Sequence, residues 1–231
     1  MAVLQGRGIV KSYGRTPALR GVTLEVDEGE IVAITGRSGC GKSTLLHCLA
    51  GIVRADAGEV SYRGDRIDTR SEAARSKLRR TEFGVLFQFG QLVGDLTAAE
   101  NVALPLLLGG TSRREARTAA LTWLDRLGVA DLADQRPGQM SGGQQQRCAV
   151  ARALVTEPRV LFADEPTGAL DSLAGEQVLG HVVRLARDQG TTVLLATHDS
   201  RVAAYADREV VLRDGAVDQS GLGAAVTVVS R

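Results

Sequence analysis

Gly36-Arg37-Ser38-Gly39-Cys40-Gly41-Lys42-Ser43 follows the apolar run Ile31-Val32-Ala33-Ile34 and precedes Thr44-Leu45-Leu46-His47-Cys48-Leu49-Ala50. The apolar run reads as a buried strand, and the segment from about Lys42 to Ala50 as a helix. The octapeptide between them fits G-x-x-x-x-G-K-[ST] in a strand–loop–helix setting. Glycines let successive backbone amides turn inward around an anion, and the helix start adds partial positive charge. Lys42 then reaches the outer phosphates of a nucleotide, and Ser43 offers a hydroxyl to Mg²⁺. A glycine-rich turn is the plainer alternative. Lysine occurs only at positions 11, 42 and 77, the remaining 25 basic side chains being arginine, yet this position holds lysine. A point charge on a thin stem suits a crowded amide nest better than a guanidinium fork.

Working outward, Val160-Leu161-Phe162-Ala163-Asp164-Glu165 is four apolar residues ending in two carboxylates. A buried strand that delivers acids at its C-terminal edge places them where α/β sheets bind ligands. Asp164 is the candidate Mg²⁺ ligand, through water, and Glu165 the candidate for polarising the attacking water. Phosphoryl transfer needs this positioning and charge neutralisation more than covalent chemistry. An ordinary solvated acid pair at a strand end is the alternative. Between the two stretches, Ser141-Gly142-Gly143-Gln144 opens a predicted helix. Small residues at a helix start suit an anion; simple N-capping by Ser141 is compatible with that and needs no ligand.

The rest of the chain supplies the frame. Val22 to Val26 alternates as a strand, Gly58 to Gly64 and Phe83 to Phe87 read as strands, and Thr97 and Ser112 each stand three residues before a glutamate as capping boxes do. The Ser141 helix is expected to run until Pro158 ends it. Beyond it come strand 160–163, a helix near 173–188, strand 192–197, a short helix and strand 209–213, an alternation that predicts a parallel sheet flanked by helices. The helical stretch from about 90 to 157 interrupts that alternation and reads as an inserted lobe. A single domain is expected over 1–231, with the core and its β-subdomain at about 1–89 and 158–217 and a tail of unassigned role over 218–231.

With 231 residues, 44% hydrophobic, the chain can bury one large core. A net charge of +1 gives no electrostatic case for nucleic acid. Met1 to Gly6 has no apolar core, and the densest apolar run, Leu104-Pro105-Leu106-Leu107-Leu108, is far short of the roughly 18 residues of a membrane helix. Cys40, Cys48 and Cys148 have neither disulfide-framework nor zinc spacing, which points to a reducing, cytoplasmic setting.

Met140-Ser141-Gly142-Gly143-Gln144 resembles the signature motif of ABC ATPases, with Met in place of the usual leading Leu. Other motifs of that family follow in order, over residues 3 to 217. Tyr13 is similar to its adenine-stacking aromatic, Gln88 to its glutamine-loop residue, Ala169-Leu170-Asp171 to its loop at the dimer seam, and His198 to its switch histidine. Read singly, Tyr13 is a surface tyrosine, Gln88 a loop amide and His198 a strand-end cap. Arg37 and Cys40 replace the common Pro and Ser at variable loop positions, and Cys40 there predicts that thiol alkylation blocks ATP binding.

The resemblance implies a P-loop NTPase α/β core with an antiparallel β-subdomain and an inserted α-helical subdomain. It implies ATP bound by Tyr13, Gly36, Arg37, Ser38, Gly39, Cys40, Gly41, Lys42, Ser43, Thr44 and Gln88, with Mg²⁺ on Ser43, Gln88 and Asp164. Lys42, Glu165 and His198 are the implied catalytic residues. Ser141, Gly142, Gly143 and Gln144 act in trans, on the ATP of a second ATPase subunit, with Asp171 at the seam. The membrane partner is a separate permease, reached through the loop from Gln88 to Gly94, with Phe87 and Phe89 as candidate anchors, although core packing explains Phe87 as well. The expected place is the cytoplasmic face of the cell membrane. Leu96 to Val102 and Glu165-Pro166-Thr167-Gly168-Ala169-Leu170-Asp171 look like the macrolide-export, lipoprotein-release and cell-division branch, although Ala169 departs from its common Asn. Export or extraction through the permease is the expected output; mechanical signalling to the cell envelope by the same motor is the alternative. A DNA-repair or ribosomal ABC ATPase would carry long coiled-coil insertions or two motor domains, and a P-loop GTPase an Asn-Lys-x-Asp pattern; neither is visible.

Overall fold

The computed structural model describes residues 2–88, 91–168 and 172–218. In chain order the elements are β1 (Ala2–Tyr13), β2 (Thr16–Asp27), β3 (Ile31–Thr35), α1 (Lys42–Leu49), β4 (Ala57–Tyr62), β5 (Asp65–Arg66), α2 (Glu72–Thr81) and β6 (Phe83–Leu86). There follow α3 (Ala98–Leu108), α4 (Arg113–Arg126), α5 (Gly142–Leu154), β7 (Val160–Asp164), α6 (Ser172–Gln189), β8 (Thr192–Thr197), α7 (Ser200–Ala203), β9 (Arg208–Arg213) and β10 (Ala216–Val217). Short 3₁₀ turns at Ala130–Leu132 and Pro137–Gln139 lead from α4 to α5. The chain divides into two compact units, one from the residues up to 75 together with those from 192 onward, the other from 76–191.

In the first unit, β2, β1, β4 and β5 form an antiparallel sheet in that order. Val22, Leu24 and Val26 of β2 are buried while their neighbours are exposed, the period-2 pattern of a half-buried strand. The same unit holds β3, which runs parallel to β8 on one side and β9 on the other, with β10 antiparallel on β9. Every residue of β3 and β8 is buried, as expected for parallel strands covered on both faces. Asp207 accepts a hydrogen bond from the Ile31 amide (2.9 Å), and the Thr35 hydroxyl donates to Glu209 (2.6 Å), so both ends of β3 are pinned. Helix α1 packs on β1, β2 and β8.

In the second unit, β6 pairs parallel with β7 from Phe83↔Val160 to Leu86↔Ala163, and the Phe83 and Phe162 rings meet edge to face at 5.2 Å. Helices α3, α4 and α5 pack on one another, and α5 also packs on β6 and α6. Gly84 permits that approach: a Cβ there would run into the Ala153 carbonyl of α5. Asn101, fully buried in α3, closes the loop before its own helix. Its side-chain amide donates to the carbonyls of Val93, Leu96 and Thr97, and its carbonyl oxygen accepts from the Val93 amide at 2.7 Å.

The strands expected at 58–64, 83–87, 160–163 and 209–213 fall at 57–62, 83–86, 160–164 and 208–213, and 192–197 coincides. The Ser141 helix ends at Leu154 and not at Pro158, because Glu157 already stands at φ 49, outside helical space. Helix α2 carries no apolar stripe, since Arg75 is its only buried residue, and periodicity gave no sign of it.

Candidate functional site

The C-terminus of β3 and the start of α1 hold the Gly36–Ser43 loop in the first unit. Gly36 has φ 142, and a Cβ there would strike the Leu212 carbonyl and approach Cys40 Sγ to 2.7 Å. Gly41, the N-cap of α1, has φ 108, and a Cβ there would strike the Ala18 carbonyl. No side chain caps α1, unlike α3, α4, α5 and α7. The start of α1 is therefore built from backbone amides, the arrangement that receives phosphate. Lys42 is 6% exposed, and its ammonium donates to the carbonyls of Gly36 (2.9 Å) and Arg37 (3.2 Å), folding the loop across the helix start. Ser43 and Thr44 follow in the first turn, half-buried, and Arg37, Ser38 and Gly39 are exposed. Cys40 is 7% exposed, with its carbonyl accepting from the Gly215 amide, so a thiol reagent reaches it only if the loop opens.

Tyr13 ends β1 with half its surface exposed. Asp56 accepts from the Lys11 ammonium (2.7 Å) and the Ser12 amide (2.7 Å), which fixes the backbone beneath the ring. Those two hydrogen bonds hold the Asp56 carboxyl below the usual carboxylate range, and the hydrogen bond to Asp56 raises the Lys11 pKa. The Lys11 ammonium lies 5.8 Å from the Tyr13 centroid. His198 is exposed directly after β8, and Asp199 beside it caps α7 through the Arg201 amide (2.9 Å).

The second unit holds the remaining candidates. Strand β7 carries Asp164 to its C-terminal end, 5% exposed, and Glu165 follows at 8%. Glu165 has φ 46, a left-handed conformation unfavourable for a side-chain-bearing residue. The turn after it closes by the Gly168 amide donating to the Glu165 carbonyl (3.0 Å). A Cβ on Gly168 would lie 3.8 Å from Gln88 Nε2, so Gln88, exposed after β6, borders this turn.

Ser141 caps α5: its hydroxyl accepts from the Gln144 amide (3.3 Å), and the Gln144 side chain accepts from the Ser141 amide (2.8 Å). Ser141 and Gly142 are exposed and Gly143 and Gln144 half-buried, so this helix start faces outward. Met140 is buried against Cys148, at 4.0 Å between sulfurs, and burial pushes the Cys148 thiol up to about 11. Phe87 is half-buried. Phe89, Ala169, Leu170 and Asp171 lie outside the described residues.

Sequence reasoning missed two side chains. Gln146 is 2% exposed and its Nε2 donates to the Pro166 carbonyl (2.7 Å), in the turn after Glu165. Arg152 donates to the Gln91 carbonyl (3.0 Å), three residues past Gln88, and burial lowers its pKa. Both contacts join α5 to loops distant in sequence, which no local pattern announces. For Mg²⁺, the Ser43 hydroxyl, the Asp164 carboxylate and the Gln88 amide oxygen are hard donors of the right kind. Among the described residues no three His, Cys, Asp or Glu side chains gather as a dedicated metal cage.

The ABC transporter family model matches residues 19–168. The lipoprotein-releasing system ATP-binding protein LolD of Porphyromonas gingivalis is 43% identical over 92% of this chain and 97% of its own length. LolD of Koribacter versatilis is 47% identical over 86% and 89%. Among solved structures, the dimeric post-hydrolysis state of the ATP-binding cassette MJ0796, bound to ADP and Pi, superposes with a TM-score of 0.88 at 38% identity, covering 94% of this chain and 97% of that one. The match extends from the Gly36 loop through the Ser141 helix to the β7 carboxylates, on the same α/β framework. This chain belongs to the ABC transporter family, as an ATP-binding and ATP-hydrolysing cassette of the P-loop NTPase fold.

Proposed function

We propose that this cassette powers the release of lipid-anchored proteins from a membrane through a separate integral-membrane permease. The observation that carries the reading is its similarity to LolD over nearly the whole of both chains, at 43% identity. No described helix is long and apolar enough to cross a membrane, so membrane contact through a permease, at the cytoplasmic face, accommodates this chain. The dimeric MJ0796 cassette supports pairing with a second copy.

Within such a pair, ATP lies between the Gly36–Thr44 loop of one copy and the Ser141–Gln144 helix start of the other, with Tyr13 under the adenine and Asp171 at the seam. Lys42 neutralises the outer phosphates. Ser43, Gln88 and Asp164 would hold Mg²⁺, which would offset charge on the phosphate oxygens. Glu165 takes up the proton of the attacking water, and His198 orients the terminal phosphate. ATP favours the closed pair, and hydrolysis followed by loss of the products loosens it, a difference in affinity that drives a permease between two states.

The test is to co-purify the chain with the candidate membrane permeases of its own genome and reconstitute each complex. The expected result is one permease whose complex hydrolyses ATP faster with a lipid-modified protein than with the same protein lacking its acyl chains, and which moves it out of the vesicle. Stimulation by the permease without any release would instead support a mechanical signalling role. No binding to any permease would remove the transport reading of this chain.

A further inference from the structure

Glu165 stands in a left-handed backbone conformation, and something must hold it there. Inside its turn, the Gly168 amide donates to the Glu165 carbonyl (3.0 Å). From outside, Gln146 donates to the Pro166 carbonyl at 2.7 Å, with the Gln146 side chain buried. Pro166 has a fixed φ and no amide hydrogen, so its carbonyl, in the Pro166–Thr167 peptide, is the handle by which a neighbour can fix the second peptide of the turn. A buried amide facing a buried carbonyl also has no water to replace it.

Helix α5, which carries Gln146, is itself held in place. Gln145 donates to the carbonyls of Pro137 (2.9 Å) and Met140 (3.1 Å), locking the chain just before the helix. The Ser141–Gln144 box closes its first turn, and Gly84 lets β6 lie against its far end. Gln146 is thus two residues past the signature motif and one hydrogen bond away from the Glu165 turn.

We propose that Gln146 is a positioning residue for hydrolysis: it holds the turn that aims Glu165, and it ties that turn to the helix whose start carries Ser141–Gln144. The proposal rests on Glu165 being the base. It makes each subunit's own signature helix a determinant of its own base, apart from anything the helix start does for a second subunit. The Gln146 amide touches neither substrate nor metal; it acts through Glu165.

The experiment is a double-substitution cycle in the full-length protein. Gln146→Met keeps the length and removes the donor. It is expected to lower kcat for ATP about 10- to 100-fold, the cost of a displaced catalytic group, while KM and nucleotide Kd stay within about twofold. Placed on Glu165→Gln, it is expected to leave the residual rate unchanged, because no base remains to be aimed. An additive loss in the Glu165→Gln background, or a kcat equal to wild type in Gln146→Met, overturns the proposal. Should Gln146→Met fail to fold, Gln146→Asn, which keeps the amide but withdraws it by one methylene, runs the same cycle. If Glu165→Gln itself turns over at the wild-type rate, it is the assignment of the base that fails.

Discussion

Gly41 and Gly39 both have positive φ, at 108 and 79, but they pose different physical problems. A Cβ on Gly39 meets nothing within 4 Å, whereas one on Gly41 runs into the Ala18 carbonyl, which is backbone and cannot swing aside. Gly39→Ala therefore pays for conformation alone, about 1–2 kcal/mol. Gly41→Ala adds an overlap worth about 1–3 kcal/mol more, and the loop relieves it by moving the amides that face phosphate. ATP affinity, titrated with a fluorescent analogue, is expected to fall about 5- to 30-fold in Gly39→Ala and about 5- to 140-fold further in Gly41→Ala, at 1.4 kcal/mol per decade. Equal affinities in the two variants would mean that the Ala18 contact does not shape the loop. At this scale the candidate residues are readable from sequence where their pattern is local. Lys42, Ser43, Asp164 and Glu165 sit in short continuous stretches whose residue types announce phosphate and water. The left-handed backbone of Glu165 is not of that kind, because only the surrounding turn imposes it.

At the scale of the element, the helix starts divide into two kinds. Helix α1 begins at a glycine with no side-chain cap, while α3 and α5 begin with complete capping boxes, Thr97 with Glu100 and Ser141 with Gln144. Because the two boxes share their geometry, they separate stability from function. Thr97→Ala and Ser141→Ala are each expected to cost about 1 kcal/mol of stability, seen as similar falls in Tm. Only Ser141→Ala is expected to slow ATP hydrolysis, by tenfold or more, since its hydroxyl also belongs to the proposed trans contact. An equal loss of activity in both variants would reduce Ser141 to a helix cap. These starts were legible because a cap is a rule over four consecutive residues. The end of α5 was misread, since Pro158 was given a role that the left-handed Glu157 fulfils first. Helix α2 went unseen because it buries one arginine and no apolar stripe. Asn101 lies within the family-like stretch Leu96 to Val102, but its four hydrogen bonds to the loop at 93–97 exist only once the chain is folded.

For the molecule as a whole, the decisive question is whether one chain is enough to make a working site. The Gly36–Ser43 loop starts one helix and the Ser141–Gln144 motif starts another. If a two-fold pair joins the loop of each copy to the motif of the other, lesions in the two elements must complement. Lys42→Ala spoils the loop and spares the motif; Gly142→Glu spoils the motif and spares the loop. Each variant alone is expected to be inactive, because every site in its homodimer contains the lesion. In a mixed pair one site collects both lesions and the other collects none. With free exchange, half of the pairs are mixed and each has one intact site, so activity is expected to recover to about a quarter of wild type. The recovery must depend on protein concentration, since it needs encounter between copies, and it must vanish if the Gly142→Glu chain, whose loop serves the intact site, also carries Glu165→Gln. That last control fixes the cis assignment of Glu165: placed instead in the Lys42→Ala chain, Glu165→Gln leaves the recovered activity untouched. Mixing that restores nothing, with both variants folded and the wild type active under the same conditions, would place loop and motif on a single chain's nucleotide.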